Sequence, residues 1–340
     1  MPASIMFLDR RTLLTRGPVV SRRPRTATAD TWLRVHRTAM ACRFEVLLSG
    51  EDRRHTAAAH DALGEADRLD AAWSIFRDTS EVAAINRHAA DHPVLASPEL
   101  FALLQRADVV WRDTGGTFDI TTAPLSRCWG FLARDGRVPD ADAIDRARAC
   151  VGMDRVALDA DARTVRFTSP GVELNLGAIG KGAAVDAIAA RLVANGVRHA
   201  LVSAAGSSVR AVGGRDGGFA VDLTSPLVDR PRLARLRLRQ GALGTSGNGL
   251  QHVVHDGRRY GHVIDPRTGW PADGVVSASV VAPDAATADA LSTAVLIGGR
   301  AHAEAWCARH PGTLVIITTE DRQTVCVGRS PAAIVEAPCT

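Results

Sequence analysis

A tight hairpin signal at Asp256-Gly257 constrains the fold of this chain more than any other local feature. The dipeptide lies between two strand-like segments, 251–255 and 258–262, and it favours the two-residue turns that join antiparallel strands. More strand-like segments follow one another over 199–246, whereas helical patterns occupy much of 52–150 and 285–309. Because strands and helices do not alternate strictly, we predict an α+β fold with mixed or mainly antiparallel sheets and packed helices.

The composition argues against two classes of protein. Hydrophobic residues make up 46% of the 340 residues, which is enough for a large core. The formal net charge is only +4, and arginines near the N-terminus supply much of it, so we expect no nucleic-acid partner. No run of about 18 consecutive apolar residues occurs, and we therefore expect no transmembrane segment.

The N-terminal segment is basic and is predicted to be a disordered tail over residues 1–30. Its Arg10-Arg11 pair resembles a twin-arginine export signal, but arginines and prolines over 18–25 interrupt any apolar segment after it. We predict that the protein is cytoplasmic, with export through a degenerate twin-arginine signal as the alternative.

Residues 174–186 contain a turn that suits phosphate. A short strand expected over 173–176 leads into Gly177-Ala178 and then into a helix expected over 179–194. Such a turn presents backbone N–H groups at a helix N-terminus, where anions are favoured, and Lys181 adds a positive charge. The segment matches neither a Walker A loop nor a dinucleotide-binding fingerprint. A tight turn that only packs the helix therefore explains the pattern equally well.

His262 closes a strand-like segment immediately before the turn 265–269. A histidine in such a position can serve as a general base. The alternative from the local pattern is a histidine that only holds the turn through hydrogen bonds.

Asp289 and Thr293 are four residues apart on a predicted helix and therefore share one face. A carboxylate and a hydroxyl on one face can bind a hard cation through oxygen. The alternative is helix capping by Asp284 together with a buried polar pair.

A fourth segment, the glycine-rich loop 115–121 with aromatic residues after it, suits either an aromatic ligand or ordinary core packing.

Together these segments resemble the ApbE family of FAD:protein FMN transferases. The resemblance rests on MACRF at 40–44, WSIFR at 73–77, GTFD at 116–119 with WGF at 129–131, LGAIGKG at 176–182, TSG at 245–247, HVIDPRTG at 262–269 and ADALST at 288–293. It covers about residues 35–320, and we place an ApbE-like domain at 31–335.

The resemblance implies an activity and a set of site residues. Family members use Mg²⁺ to transfer FMN from FAD to a Ser or Thr hydroxyl of an acceptor protein, with release of AMP. Lys181 would face the phosphates, and His262 would be the base for the acceptor hydroxyl. The metal would be held by Asp289, Thr293 and the backbone carbonyl of Ala178, and the FAD site would be lined by Met40, Phe76, Thr117, Phe118, Asp119, Asn175, Lys181 and Ile264.

Two departures from the family pattern keep alternatives open. The family usually has Asp where this chain has Asn175, and its N-x-G-G-D segment reads SAAGS at 203–207. One alternative is an FAD-binding protein without transferase activity. A second is an FAD pyrophosphatase, in which water replaces the acceptor hydroxyl and the products are FMN and AMP.

Overall fold

The structure is a computed structural model that describes residues 32–214, 217–224, 232–249 and 251–338. The tail predicted for residues 1–30, with its twin-arginine motif, lies outside the described residues. Within the described ranges, no helix combines the length and the apolar character that are needed to cross a membrane.

An eight-stranded sheet forms the centre of the fold. Its strands are β1 (Leu33–Ala39), β2 (Cys42–Leu48), β6 (Ala200–Ala204), β7 (Ser208–Val212), β10 (Gly241–Gly247), β13 (Val275–Ala282), β14 (Leu314–Thr319) and β15 (Thr324–Gly328). The chain order of these strands is also their spatial order, and every neighbouring pair is antiparallel. Each strand of the central sheet thus pairs with the preceding strand of the sheet, from one edge to the other.

Smaller sheets surround the central one. They consist of β3 (Val94–Leu95), β5 (Thr164–Phe167) and β4 (Val156–Asp159); of β16 (Ala333–Pro338), β9 (Arg232–Leu238) and β8 (Phe219–Thr224); and of the hairpin β11 (His252–His255) and β12 (Arg258–Gly261). The hairpin predicted at Asp256-Gly257 is confirmed. Both residues have positive φ, 50° and 74°, as a type I′ turn requires.

Seven α-helices complete the described part of the chain. They are α1 (Thr56–Trp73), α2 (Glu81–His88), α3 (Pro98–Asp113), α4 (Ala123–Cys128), α5 (Ala141–Arg148), α6 (Gly180–Ala194) and α7 (Ala285–Arg309). The side chains of Ser80, Ser97 and Asp284 cap α2, α3 and α7 by accepting a hydrogen bond from a first-turn N–H. These caps follow directly from the sequence.

Helices and sheets stack in three layers. One face of the central sheet packs against α1, α6 and α7, and the other face packs against the sheet of β8, β9 and β16. Successive residues of one strand serve different layers: on β13, Val280 belongs to the helical core and Val281 to the core between the sheets. The predicted α+β fold with mainly antiparallel sheets is confirmed.

Two glycines let α7 approach its neighbours at backbone distance. A Cβ atom at Gly182, in α6, would lie 2.1 Å from the carbonyl oxygen of Ala285. A Cβ atom at Gly244, in β10, would lie 2.3 Å from the carbonyl carbon of Ala288. Real Cβ atoms do not approach this closely, so the first turns of α7 can pack directly on α6 and β10 only where these two residues are glycine.

The structure differs from the sequence-based expectation in several segments. The strand predicted at 173–176 is absent, because the backbone N–H of Asn175 donates to Ile120 and the chain then enters a 3₁₀ turn, Leu176–Ala178. By contrast, the two helices expected over 285–297 and 301–309 are confirmed: they are the two halves of α7, separated by a kink at Gly299, where φ is 67° and ψ is −158°. Strands β1 and β16 were not predicted.

The close approach at Gly244 makes a testable prediction about stability. Because an added methyl group must displace the α7 backbone, Gly244→Ala should lower the free energy of unfolding by about 2 kcal/mol or more, measured by denaturant unfolding. Gly249→Ala is the matched control, since a Cβ atom there meets no heavy atom within 4 Å. Equal stability of the two variants would contradict the packing described here.

Candidate functional site

Asp186 joins the N-terminal turns of α6 and α7. Its carboxylate, on α6, accepts hydrogen bonds of 2.9 to 3.0 Å from the backbone N–H groups of Ala285 and Ala286, which begin α7. A negative charge at a helix N-terminus is stabilising. Burial raises the pKa of Asp186, and these hydrogen bonds oppose the rise. The carboxylate therefore fixes the start of α7 against α6.

Asp289 is the buried carboxylate one turn further along α7. Its Oδ1 accepts a hydrogen bond of 3.1 Å from the Ser208 hydroxyl, and its Oδ2 accepts one of 3.1 Å from the backbone N–H of Gly182. The Lys181 ammonium lies 3.5 Å from Oδ2. Burial raises the pKa of Asp289, whereas the Lys181 charge and the hydrogen bonds lower it. One carboxylate thus receives partners from α6 and β7.

Lys181 stands in the first turn of α6, beside the small-residue turn identified from the sequence. Its Nζ donates a hydrogen bond of 3.1 Å to the carbonyl of Gly177, and its side chain is about one quarter exposed (27%). A partly exposed ammonium next to a buried carboxylate can bind an anion from the solvent side while it pairs with the carboxylate on the other.

Thr293 follows Asp289 by one helical turn, as the spacing predicts. Its hydroxyl oxygen lies 3.1 Å from the hydroxyl oxygen of Ser246 on β10 and 3.4 Å from the main-chain carbonyl of Asp289. Ala178 ends the 3₁₀ turn, and this turn contacts α7. The three predicted oxygen ligands therefore belong to elements that pack together.

His262 lies just after β12 and is partly buried. Its backbone N–H and its Nδ1 face the carbonyl of Gln251, at 3.1 and 3.3 Å. Because a carbonyl only accepts, Nδ1 carries the hydrogen in this contact and the lone pair resides on Nε2. Burial lowers the pKa of His262 below its ordinary 6.5, and the positive charge of Lys181 lowers it further. The imidazole is therefore neutral at pH 7.

Thr117, Phe118 and Asp119 follow the glycine pair after α3 and are buried. The Thr117 hydroxyl donates to a carbonyl of the same loop, and Phe118 belongs to the main core. The two carboxylate oxygens of Asp119 accept hydrogen bonds from the backbone N–H groups of Thr121 and Met153. These side chains therefore hold the loop in shape through contacts within the chain.

Asn175 connects this loop with the turn before Lys181. Its backbone N–H donates a 2.6 Å hydrogen bond to Ile120, and its side-chain oxygen accepts one of 2.9 Å from the N–H of Gly177. An aspartate could accept the same hydrogen bond. Asparagine therefore preserves the geometry of the turn and omits a negative charge.

The remaining predicted flavin-site residues differ in exposure. Met40 lies partly buried in the turn between β1 and β2, with a positive φ of 47°. Ile264 is buried in a small cluster with Trp129 and Phe131. Phe76, after the end of α1, is 73% exposed. Of these three side chains, Phe76 is the most exposed.

Sequence reasoning missed the polar groups that support Asp289 and Thr293. Ser208 and Ser246 lie on strands β7 and β10, and Ser292 lies on α7 beside Thr293. The available signal was a hydroxyl residue at a strand position that faces the helical layer, where apolar residues are expected. The N–H of Gly182, a donor that every non-proline residue has, carries no sequence signal.

Comparison with known proteins identifies the family. The ApbE family model matches residues 40–317. The chain belongs to the ApbE family. The FAD:protein FMN transferase of Treponema pallidum (strain Nichols) is 31% identical over 316 residues, which cover 87% of this chain and 85% of the relative. The FAD:protein FMN transferase of Vibrio cholerae serotype O1 is 30% identical over 256 residues, which cover 73% of this chain and 75% of the relative.

Solved structures of ApbE proteins are similar to the whole described fold. The ApbE protein from Thermotoga maritima has a TM-score of 0.80 and 29% identity, covering 88% of this ApbE chain and 97% of its own. The flavin transferase ApbE from Vibrio cholerae has a TM-score of 0.76 and 25% identity, covering 87% and 98%. The family predicted from the sequence motifs is confirmed.

The role of Asp186 in joining α6 to α7 is testable through stability. Asp186→Ala leaves two helix N-terminal N–H groups without their acceptor, so it should lower the free energy of unfolding by about 1 to 2 kcal/mol in denaturant titrations. Glu304→Gln, an exposed carboxylate paired with Arg300 on the same helix, should change it by less than about 0.5 kcal/mol. A neutral Asp186→Ala variant would show that this contact does not secure the junction.

Proposed function

We propose that this ApbE-family chain transfers the FMN half of FAD to a serine or threonine hydroxyl of an acceptor protein and releases AMP. The observation that carries the proposal is a buried carboxylate paired with an ammonium, whose charge also lowers the pKa of a histidine. Asp289 pairs with Lys181, and the positive charge of Lys181 contributes to the lowered pKa of His262. Similarity to FAD:protein FMN transferases over most of the chain supports the same reaction.

The oxygen donors near Asp289 fit Mg²⁺ better than a transition metal. Among the described residues, no cluster of three or more His, Cys, Asp or Glu side chains could hold a metal ion. Mg²⁺ does not need such a cluster, because proteins usually bind it through one or two carboxylates together with substrate phosphates and water. We propose that Asp289, Thr293 and the carbonyl of Ala178 supply the protein ligands. When bound, Mg²⁺ neutralises charge on the pyrophosphate oxygens.

Lys181 is proposed to bind the pyrophosphate from the α6 side. Its ammonium is held by the Gly177 carbonyl and by Asp289, so little side-chain ordering remains when a phosphate arrives. The N-terminus of α6 adds backbone dipoles of the same sign. The charge that develops on the leaving AMP phosphate would thus meet a preorganised positive environment.

His262 is proposed to accept the proton of the acceptor hydroxyl at Nε2. As the hydroxyl oxygen forms a bond to the FMN-side phosphorus, the bond from that phosphorus to the bridging oxygen breaks. The bridging oxygen leaves with AMP, and the proton remains on the imidazole. Burial keeps the imidazole neutral at pH 7, and the Nδ1 contact with Gln251 orients Nε2 for this role.

The flavin-site residues are proposed to act in two ways. Phe76 offers an exposed ring for stacking against the isoalloxazine. Met40 and Ile264 would line the site, while Thr117, Phe118, Asp119 and Asn175 would shape the backbone that borders it. This division follows from the burial of the latter side chains and from their hydrogen bonds within the chain.

An assay with an acceptor protein distinguishes the proposed reaction from its alternatives. The protein is incubated with FAD, Mg²⁺ and an acceptor that carries a D-x-x-[ST]-[GS]-A-T-like segment, and mass spectrometry measures added FMN. Transfer gives flavinylated acceptor with one AMP for each FMN added. Release of free FMN and AMP without acceptor would identify a pyrophosphatase instead. FAD binding without AMP would identify a flavin-binding protein that does not transfer.

Substitution of Asp289 tests the metal assignment. Asp289→Asn keeps the size of the side chain and removes the charge, so transfer at the Mg²⁺ concentration that saturates the unsubstituted protein should fall by at least about a hundredfold. Glu304→Gln, at the far end of the same helix, should retain full activity. Undiminished transfer by Asp289→Asn at ordinary Mg²⁺ would refute Asp289 as a ligand.

The pH dependence of transfer tests His262. Because the pKa of His262 lies below 6.5, more than half of the imidazole is neutral at pH 6.5, and kcat/KM should still exceed half of its plateau there. Activity should fall only as the pH drops further and the base becomes protonated. His262→Ala should slow transfer by about a hundredfold and remove this acid limb while FAD binding persists. Loss of FAD binding in His262→Ala would mark the residue as structural.

A further inference from the structure

Three hydroxyl groups form a row between β10 and α7, behind the proposed metal site. The Ser292 oxygen lies 2.8 Å from the main-chain carbonyl oxygen of Asp289 and 2.8 Å from the Ser246 oxygen. The Ser246 oxygen lies 3.1 Å from the Thr293 oxygen. Thr293 also lies 3.4 Å from the carbonyl of Asp289, which is long for a hydrogen bond between oxygens. Ser292 is fully buried.

The number of protons and the lengths of the contacts together favour one direction along the row. Each hydroxyl has one proton to donate, and the Asp289 carbonyl can only accept. If Ser292 donates to that carbonyl, Ser246 must donate to Ser292, and Thr293 must donate to Ser246. This arrangement places one proton in each of the three shortest contacts.

The opposite direction is unfavourable. If Ser292 donated to Ser246 and Ser246 donated to Thr293, no proton would lie between the Ser292 oxygen and the Asp289 carbonyl oxygen, 2.8 Å apart. Two oxygen lone pairs would face each other at that distance in a buried site. The last proton would have only the 3.4 Å contact from Thr293 to Asp289. Burial makes an unsatisfied arrangement of this kind costly.

We infer that Ser292 and Ser246 are positioning residues that point the proton of Thr293 toward β10 and so turn its oxygen lone pairs toward the cation. This inference rests on the proposed function, in which Thr293 is a metal ligand. A hydroxyl binds a cation through a lone pair, so a proton directed at the cation would weaken the site. The contacts that orient a ligand commonly change metal affinity by tenfold or more.

Removal of Ser292 is the sharpest test, because this residue is buried behind the row. In Ser292→Ala, Ser246 loses its acceptor and can donate to Thr293 instead. This reverses the hydrogen bond between Ser246 and Thr293, so the Thr293 proton no longer points toward β10. Mg²⁺ affinity, measured by calorimetric titration of the protein in the presence and absence of FAD, should weaken by about tenfold. FAD binding without Mg²⁺, followed by quenching of flavin fluorescence, should be unchanged.

Ser246 provides a second variant that does not depend on replacing a buried helix residue. Ser246→Ala should weaken Mg²⁺ binding to a similar degree, and Ser246→Thr, which keeps the hydroxyl, should restore it. Ser279→Ala is the matched control: it removes a hydroxyl on β13 that lies 2.9 Å from the hydroxyl of Thr245 on β10 and makes no hydrogen bond to the row. Its Mg²⁺ affinity should match that of the unsubstituted protein.

The possible failures can be told apart. If Thr293→Ala weakens Mg²⁺ binding while Ser292→Ala and Ser246→Ala leave it within about twofold, the row does not position Thr293 and the inference is wrong. If the unsubstituted protein itself binds no Mg²⁺, the metal assignment fails and the inference fails with it. If the protein still transferred FMN without Mg²⁺, the proposed reaction would stand although the metal assignment and the inference about the hydroxyl row had both failed.

Discussion

Direct backbone contact of α7 with α6 and β10 determines where the carboxylate and hydroxyl groups of the proposed metal site lie. Gly182 and Gly244 permit this contact, since any side chain at either position would meet the backbone of Ala285 or Ala288. The contact brings the N–H of Gly182 to the Asp289 carboxylate and sets α7 against the hydroxyl residues of β7 and β10. Small residues are therefore needed at this junction, because a larger side chain would keep the hydrogen-bonding groups of α6 and β10 away from those of α7.

The electrostatics of the site follow from that proximity. A buried carboxylate is costly unless hydrogen bonds and an opposite charge compensate it, and Asp289 has both. The same ammonium that pairs with Asp289 helps to keep His262 neutral, although burial is the larger cause. One lysine thus influences a carboxylate and an imidazole in opposite ways, since it favours the charged form of the first and disfavours the charged form of the second.

Sequence reasoning predicted elements whose signal is local. The turn at Asp256-Gly257 and the cap at Asp284 depend on a few adjacent residues, and the structure has both. Strand β1 was missed because only Val35 and Ala39 of its seven residues are buried, so its sequence lacks clear alternation. The segment 173–176 has the composition of a strand, but Asn175 bonds to a loop instead of a ladder. Spacing brought Asp289 and Thr293 together, whereas the donors to Asp289 come from residues 81 and 107 positions away.

That separation along the chain has a consequence for folding. The partners of Asp289 are contributed by α6 and β7, so the polar junction exists only after distant segments have reached their final positions. A ligand that binds at this junction binds the native state and not partially folded states. Such binding shifts the folding equilibrium toward the native state. A chain that is still folding offers such a ligand no place to bind, and a bound ligand in turn opposes the unfolding of the whole molecule.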